Sequence, residues 1–309
     1  MASAPDVARI RRVRRRVLGW YATRGRPLAF RATSDPWAIL VSEVMAQQTQ
    51  AARAAEAWSG FMAAYATPSA LAQAPVAEVL RAWRGLGYNR RAVSLHRAAA
   101  MIVTEHGGRV PRELDALRRL PGVGPYTARA VAALAFGLPV GAVDTNVRRV
   151  LGRAFFGAAG PLEVDPAAMQ ATADQLAPRT RPGAWTHALM DLGATVCVSR
   201  EPRCDACPIR PSCAWASVHP EVGVTPTRRP GASPRSASRR GGFETTSRWL
   251  RGRILDRLRD LGDGAWLAFD GPIGVHGLDA VLRALTAMAR DGLLELRTAN
   301  PPEARLPHG

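Results

Sequence analysis

Apolar residues recur at helical spacing through most of this chain, which predicts a mainly α fold. One stripe near the N-terminus consists of Val7, Ile10, Val13, Val17 and Leu18. A second helix is predicted from Asp35-Pro36, where the aspartate suits the cap and the proline suits the first helical position. Its apolar stripe consists of Trp37, Leu40, Val41, Val44 and Met45. A third helix is predicted over residues 51–65.

Two further helical patterns enclose a glycine hairpin. Leu114, Leu117 and Leu120 predict a short helix, and residues 128–136 predict another. Between them, Gly122, Val123 and Gly124 allow successive backbone N–H groups to point outward at the start of the second helix. Such a helix start binds anions, and a phosphate is the expected anion in a basic protein. An ordinary turn is the alternative interpretation.

The C-terminal part differs in composition. Residues 221–245 are rich in Pro, Gly, Ser and Arg, which predicts a flexible basic linker between a domain at 1–220 and a small one at 246–309. Helices are predicted over 247–259 and 278–290, and a strand over 293–297. This order predicts a winged-helix-like domain.

Composition restricts the function classes. The 309 residues are 47% hydrophobic and carry a formal net charge of +17, with a pI near 11.4, which favours a polyanionic partner. All 42 basic Lys and Arg residues are arginine, so chemistry through a lysine Schiff base is excluded. Neither a secretory signal nor a bilayer-spanning run is present, so we expect a cytoplasmic location and no membrane partner.

The strongest motif is formed by the four cysteines of the chain, Cys197, Cys204, Cys207 and Cys213. In a reducing cytoplasm, thiolates are expected to bind metal rather than form two disulfides. The spacing alone fits a zinc site and a 4Fe-4S cluster equally well. Arg200, Arg203 and Arg210 lie between these cysteines and could contact phosphates or balance the thiolate charge.

Two carboxylates are candidates for catalysis. Glu43 lies off the apolar stripe of its helix; in a cleft its pKa would rise and it could act as a general acid, whereas in water it would simply be solvated. Asp144 precedes a helix predicted over 147–155, where capping alone would explain it. A neutral Glu43 and an ionised Asp144 would together supply the two roles that cleavage of a glycosidic bond requires.

Two polar segments are candidates for DNA contact. Residues 47–50 read Gln-Gln-Thr-Gln, and amide side chains can hydrogen-bond base edges. Residues 82–91 interleave glycines, aromatic rings and arginines, which suits a loop that approaches phosphates and inserts Leu86 or an aromatic ring between bases. The alternative is a helix connection with Trp83 and Tyr88 in the core.

The hairpin at 120–128, the Val-Asp-x-Asn-Val motif at 143–147 and the cysteine loop together resemble the helix-hairpin-helix DNA glycosylases of the endonuclease III superfamily. The segments 42–50 and 85–88 resemble the MutY-type adenine glycosylase branch within it. The resemblance covers about residues 7–215 and implies a two-lobed helical fold with a 4Fe-4S cluster loop.

The resemblance also implies residue roles. Glu43 would protonate an adenine flipped out of double-stranded DNA, and Asp144 would stabilise the sugar cation or bond to it covalently. Asn146 would orient Asp144, and Tyr126 would assist in the pocket. The implied DNA contacts are Gln48, Leu86 and Tyr88, with backbone contacts from Gly122, Val123 and Gly124. The implied cluster ligands are Cys197, Cys204, Cys207 and Cys213.

The implied reaction is monofunctional removal, by a monomer, of adenine mispaired with 8-oxoguanine or guanine, because Tyr126 stands where bifunctional relatives have a lysine. A thymine glycosylase acting on T opposite G is the nearest enzyme alternative, and a non-catalytic DNA-binding iron-sulfur protein is the other. The C-terminal residues show no Nudix-like pattern, so the preference for 8-oxoguanine over guanine is not predicted from that end of the chain.

Overall fold

The computed structural model describes residues 6–158, 160, 163–220 and 242–308. Most of the predicted linker, at 221–241, lies outside the described residues. The helices before residue 152 are α1 (Val7–Arg24), α2 (Pro36–Ala46), α3 (Ala51–Ala64), α4 (Pro68–Gln73), α5 (Val76–Ala82), α6 (Arg90–His106), α7 (Leu114–Arg119), α8 (Pro125–Ala135) and α9 (Thr145–Leu151). The later helices are α10 (Pro166–Leu176), α11 (Pro182–Thr195), α12 (Ala214–Val218), α13 (Ser247–Arg259) and α14 (Leu278–Arg290).

The chain forms two compact units, each assembled from separate stretches of sequence. The described residues of the first unit are 6–43, 112–119, 123–158, 160 and 163–220. Those of the second unit are 44–111, 120–122 and 242–308. The predicted mainly α fold is confirmed in both units.

The first unit has its core around α11. This helix packs against α1, α8 and α9, and Trp185 is buried in the middle of the cluster with only 1% of its surface exposed. A single π-helical turn, Gly152–Phe156, follows α9 and packs against α12. Asp165 caps α10, which packs against α9. These contacts give α9, which begins after Asp144, a rigid support.

The second unit contains α4, α5 and α6 together with the C-terminal residues. Helix α6 packs against α4 and α5, and α13 packs against α5 and α14. The three short strands are β1 (Leu267–Ala268), β2 (Glu295–Arg297) and β3 (Glu303–Arg305). They form an antiparallel sheet in the order β1-β3-β2.

The C-terminal prediction is confirmed for its helices and changed for its strands. Helices α13 and α14 have the predicted bounds. The predicted strand over 293–297 shortens to Glu295–Arg297, because the turn that ends α14 includes Leu293, whose backbone N–H donates to the Met288 carbonyl at 3.0 Å. At the end of the predicted linker, Phe243–Thr245 forms a 3-10 turn. Across the described residues, no helix combines the length and apolarity that crossing a bilayer requires.

Candidate active site

Glu43 lies inside the first unit, not on a solvated face. All residues of α2 from Trp37 to Met45 are buried, and Glu43 is only 7% exposed. Its Oε2 accepts a hydrogen bond of 3.0 Å from the hydroxyl of Tyr126, the second residue of α8. The solvated alternative for Glu43 is therefore wrong, because the whole circumference of α2 is covered.

Burial is the main cause that raises the pKa of Glu43, to about 7. The negative charge of Asp144 raises this pKa further, whereas the Tyr126 hydrogen bond and the Arg31 cation act in the opposite direction. Burial also raises the pKa of Tyr126, so its hydroxyl stays protonated and remains a donor. Near neutral pH, Glu43 is thus a carboxyl group that can hold and release a proton.

Asp144 caps α9 and accepts two hydrogen bonds. Its Oδ1 accepts from the backbone N–H of Val147 at 2.6 Å, and its Oδ2 accepts from the Asn146 side-chain amide at 3.0 Å. Both donors stabilise the charged form of a carboxylate. Since its charge acts on Glu43, the two carboxyl groups belong to one electrostatic site within the first unit.

Arg149 supports this carboxylate from behind. Its Nη2 donates to Asn146 Oδ1 at 2.8 Å and to the Gly193 carbonyl at 2.6 Å, and its Nε donates to the Cys197 carbonyl at 2.6 Å. Asn146 is therefore held between Asp144 and Arg149, and this chain of hydrogen bonds reaches the cysteine loop. No local sequence pattern marks Arg149 for this role.

A buried ion-pair cluster borders the site. Asp191 is fully buried and pairs with Arg31 through two hydrogen bonds of 2.7 and 2.8 Å and with the Arg26 Nε at 2.6 Å. Burial alone would raise the pKa of Asp191, but the hydrogen bonds from both arginines lower it overall. Burial, and then the charge of Arg31, lower the pKa of His187 to about 3. This histidine therefore stays neutral.

The four cysteines line one cavity of the first unit and form no disulfide. Burial is the first cause that raises the pKa of Cys204, of Cys213 and of Cys207, the last to about 12, so these thiols ionise readily only against a bound cation. Arg153, itself 5% exposed, donates to Cys197 Sγ at 3.5 Å. Among the described residues, no three Cys, His, Asp or Glu side chains converge as ligands of a single ion. The donor set of this cavity is all thiol.

In the hairpin, only the first of the two glycines has a positive φ, since the φ of Gly124 is −86°. Gly122 has a φ of 82°, and a Cβ there would lie 2.8 Å from the Cβ of Ser94, so only glycine fits. Gly124 caps α8 without a side-chain hydrogen bond. Gln48 is exposed in a left-handed conformation, and Tyr88 is 38% exposed. The core alternative holds for Trp83, which is fully buried, and is wrong for Tyr88.

Leu86 does not match its predicted role. Its side chain is 5% exposed, and its carbonyl accepts from Arg91 Nη2 at 3.1 Å. In this structure its apolar side chain fills the core of the second unit and is not presented to DNA. Val123 is likewise 7% exposed, and its predicted contact with phosphate is made by the backbone and does not require an exposed side chain.

The chain is similar to known DNA repair proteins over most of its length. Residues 41–173 match the model of the HhH-GPD superfamily of base excision DNA repair proteins. The chain is 42% identical over 291 residues to the adenine DNA glycosylase of Mycolicibacterium smegmatis, covering 90% of this chain and 91% of that protein. The chain belongs to the adenine DNA glycosylase family.

More distant members of the superfamily also match. The thymine/uracil-DNA glycosylase of Methanothermobacter thermautotrophicus is 32% identical over 64% of this chain and 90% of its own. The solved structure of a thermostable thymine-DNA glycosylase superposes with a TM-score of 0.64 at 30% identity, covering 68% of this chain and 98% of that one. The stronger likeness is therefore to the adenine DNA glycosylases.

In this member of the adenine DNA glycosylase family, Arg91 ends the predicted DNA-contact segment at 82–91, but it is buried and does not present its charge to phosphates. This side chain is 9% exposed, and burial lowers its pKa to about 10. It donates to the carbonyls of Val44, Met45, Gln47, Leu86 and Gly87 and to Thr49 Oγ1. One arginine thus fixes both predicted DNA-contact segments of the second unit. Arg153 and Arg259 are buried to a similar degree, so the set of carbonyls that it binds, and not burial alone, distinguishes Arg91.

Proposed function

We propose that this enzyme removes adenine mispaired with 8-oxoguanine or guanine from double-stranded DNA, acting as a monomeric and monofunctional DNA glycosylase. The observation that carries the proposal is the buried carboxyl of Glu43, hydrogen-bonded to Tyr126 and electrostatically coupled to Asp144. If Glu43 were only solvated and Asp144 were only a helix cap, the two carboxyl groups would have no reason to lie in one site.

The reaction follows from the two protonation states. With the adenine out of the base stack, the proton of Glu43 moves to a ring nitrogen of the base. The bond between the sugar and the base breaks, and its electron pair leaves with the adenine. The carboxylate of Asp144, oriented by Asn146, stabilises the positive charge that develops on the sugar. Water then adds to the sugar and returns its proton to Glu43, which leaves an abasic site.

Strand cleavage is not part of the proposed reaction. An amine nucleophile would be needed to form a Schiff base with the opened sugar, and the chain has no lysine. The position beside Glu43 is instead taken by Tyr126, whose hydroxyl donates to the carboxyl. The product is therefore an intact strand with an abasic site.

We also propose that Cys197, Cys204, Cys207 and Cys213 hold a 4Fe-4S cluster. The single cavity that the four thiols line supports it, as do the burial that raises the pKa of Cys204, Cys207 and Cys213 and the nearby Arg153 cation. When bound, the cluster would fasten the loop to which Arg149 is hydrogen-bonded. About four iron atoms and four sulfides per chain, with broad visible absorption, are expected; one zinc ion per chain would contradict the assignment.

The function is tested with labelled duplexes that contain A opposite 8-oxoguanine, A opposite G, or T opposite G. Alkali after incubation cleaves abasic sites, so excision of A appears as a shortened labelled strand. We expect excision in the first two duplexes and none in the third. Excision of T alone would favour the thymine alternative.

Two conservative variants test the assigned roles. Glu43→Gln removes the proton that is donated, and Asp144→Asn removes the negative charge while keeping the size of the side chain. Each should lower single-turnover excision by at least about 100-fold, with DNA binding within a few fold of wild type. Activity retained by both variants would contradict the mechanism and favour another pair of residues.

A further inference from the structure

The loop that carries Tyr88 adopts an unusual backbone. Gly85, Gly87 and Tyr88 have φ values of 87°, 65° and 46°. Left-handed backbone suits glycine but strains tyrosine, and such strain persists where the surroundings enforce it. Arg91 holds the loop carbonyls from the inside. The ring of Tyr88 points outward enough to be 38% exposed.

Arg248, in the first turn of α13, holds this ring from the outside. Its guanidinium carbon lies 4.2 Å from the centre of the Tyr88 ring, and its Nη1 donates to the Tyr88 hydroxyl at 2.7 Å. The same guanidinium lies 5.7 Å from the ring of Phe243. Phe243 is 60% exposed. An arginine thus bridges two partly exposed aromatic rings.

Helix α13 is anchored on both sides of the loop, which fixes Arg248 opposite Tyr88. Arg259 donates from Nε to the Leu80 carbonyl at 2.9 Å and from Nη2 to Asn89 Oδ1 at 2.8 Å. Additional ion pairs between the same two segments join Asp263 to Arg81, at 2.5 Å, and Asp260 to Arg84. The C-terminal residues therefore dock on the segment that presents the loop.

The charge of residues 242–308 shows how they can act on DNA. They contain nine arginines and nine Asp or Glu residues, so their formal net charge is zero, although the whole chain carries +17. Three of the carboxylates, Asp260, Asp263 and Asp291, pair with Arg84, Arg81 and Arg90. General attraction to phosphates is thus not what this segment provides. Its contribution must be local, at the arginine and the rings.

We propose that Phe243, Arg248 and Tyr88 form one DNA-contacting surface, the stacking cluster, in which Arg248 is the positioning residue for the Tyr88 ring. The partner is double-stranded DNA opened at the mismatch, because unstacked bases offer flat faces to exposed aromatic rings. The proposal rests on the proposed function and adds the C-terminal residues to its DNA site. The C-terminal residues would act on DNA through the loop at 84–89, which carries Tyr88.

The test uses the full chain and a duplex with 2-aminopurine beside an A:8-oxoguanine pair, since 2-aminopurine fluorescence rises when the base is unstacked. We expect Arg248→Ala to weaken DNA binding roughly tenfold and to reduce the fluorescence rise, because the ring of Tyr88 loses its support. The matched control is Arg257→Ala, which removes the same charge from an exposed position of α13. The control should stay within about twofold of wild type. Equal effects of both variants would overturn the proposal.

A double variant tests whether Arg248 acts through Tyr88. If it does, Tyr88→Ala with Arg248→Ala should bind within about twofold of Tyr88→Ala alone. Multiplied losses would show independent action and overturn the proposal. Thermal unfolding of each variant identifies a folding defect. If Arg248→Ala has such a defect, Phe243→Ala replaces it and should weaken DNA binding about threefold or more. Unchanged DNA binding by Phe243→Ala would count against the stacking cluster. Absence of adenine excision by the wild type would instead defeat the proposed function, which the binding comparison does not measure.

Discussion

At the scale of single residues, burial of the Glu43 carboxyl group lowers the stability of the fold. Glu43 has a pKa near 7 in the fold, against 4.5 for a free glutamate. At pH values between these two pKa values, Glu43 is protonated in the native state and ionised in the unfolded chain. The free energy of unfolding should therefore fall as the pH rises through this window and level off above it, by a total of about 3 kcal/mol.

Glu43→Gln should remove this pH dependence. At pH 8 the variant should be more stable than wild type by up to about 3 kcal/mol, because a neutral amide replaces a buried carboxylate, although it has lost excision. Urea unfolding at pH 5 and pH 8 measures the difference. A wild-type curve parallel to that of the variant at both pH values would contradict the raised pKa of Glu43.

Tyr126→Phe should shift the pH dependence of excision. Wild-type activity is expected to decline above about pH 7 as Glu43 loses its proton. The Tyr126 hydrogen bond lowers the pKa of Glu43, so its removal should raise that pKa and move the decline to higher pH. Single-turnover rates between pH 5 and pH 9 test the direction of the shift. A shift to lower pH would contradict the donor role of the hydroxyl.

At the scale of elements, the approach of α9 to α11 sets the position of Asp144. Gly193 lies where α11 passes Asn146, and a Cβ there would be 2.7 Å from the Asn146 Cβ and 2.9 Å from its carbonyl oxygen. The same backbone supplies the carbonyl that Arg149 binds. The close packing of α9 and α11 therefore fixes Asn146, which in turn holds the carboxylate of Asp144.

Gly193→Ala should separate these helices. We expect a loss of about 1–3 kcal/mol in the free energy of unfolding and a lower excision rate, since Asn146 would move away from Asp144. Gly19→Ala is the control, because Gly19 is helical and has open space around its Cβ position. The control should be neutral or more stable by up to about 1 kcal/mol. Equal stability of Gly193→Ala and wild type would show that the crossing can adapt.

The elements themselves were predictable where periodicity is strong. Helices α13 and α14 have the predicted bounds because each buries one clear stripe. Strands of two or three residues are too short for an alternating pattern, so β1 and β3 were missed. Glu43 and Asp144 could be selected by chemistry, but the burial of Glu43 depends on neighbours from other parts of the chain. Arg91 and Arg149 bind carbonyls distant in sequence, and no local pattern indicates such contacts.

At the scale of the whole molecule, the first unit is fastened by the ion pairs of Asp191. This residue of α11 binds Arg26 and Arg31, which follow α1, so one buried carboxylate joins the beginning of the unit to its central helix. Removing one partner of a buried pair leaves an uncompensated charge. In the second unit, by contrast, the ion pair of Asp263 with Arg81 is exposed.

Asp191→Asn should therefore destabilise the protein by about 3–5 kcal/mol. Asp263→Asn also breaks an ion pair, but its carboxylate is 69% exposed, and a loss of at most about 1 kcal/mol is expected. Chemical denaturation of the two variants makes the comparison. A small effect of Asp191→Asn would mean that the two arginines reach water when their partner is neutral.

The interrupted path of the chain through the first unit has a consequence for biosynthesis. Glu43 emerges from the ribosome long before α8 and α11, the helices that carry Tyr126 and the Met190 sulfur near its hydroxyl. At a translation rate of about 5–20 residues per second, the apolar α2 is synthesised on the order of ten seconds before these partners. Contacts so distant in sequence also slow folding after release. A nascent chain of this enzyme is thus expected to need chaperone protection for α2 until translation has passed α11.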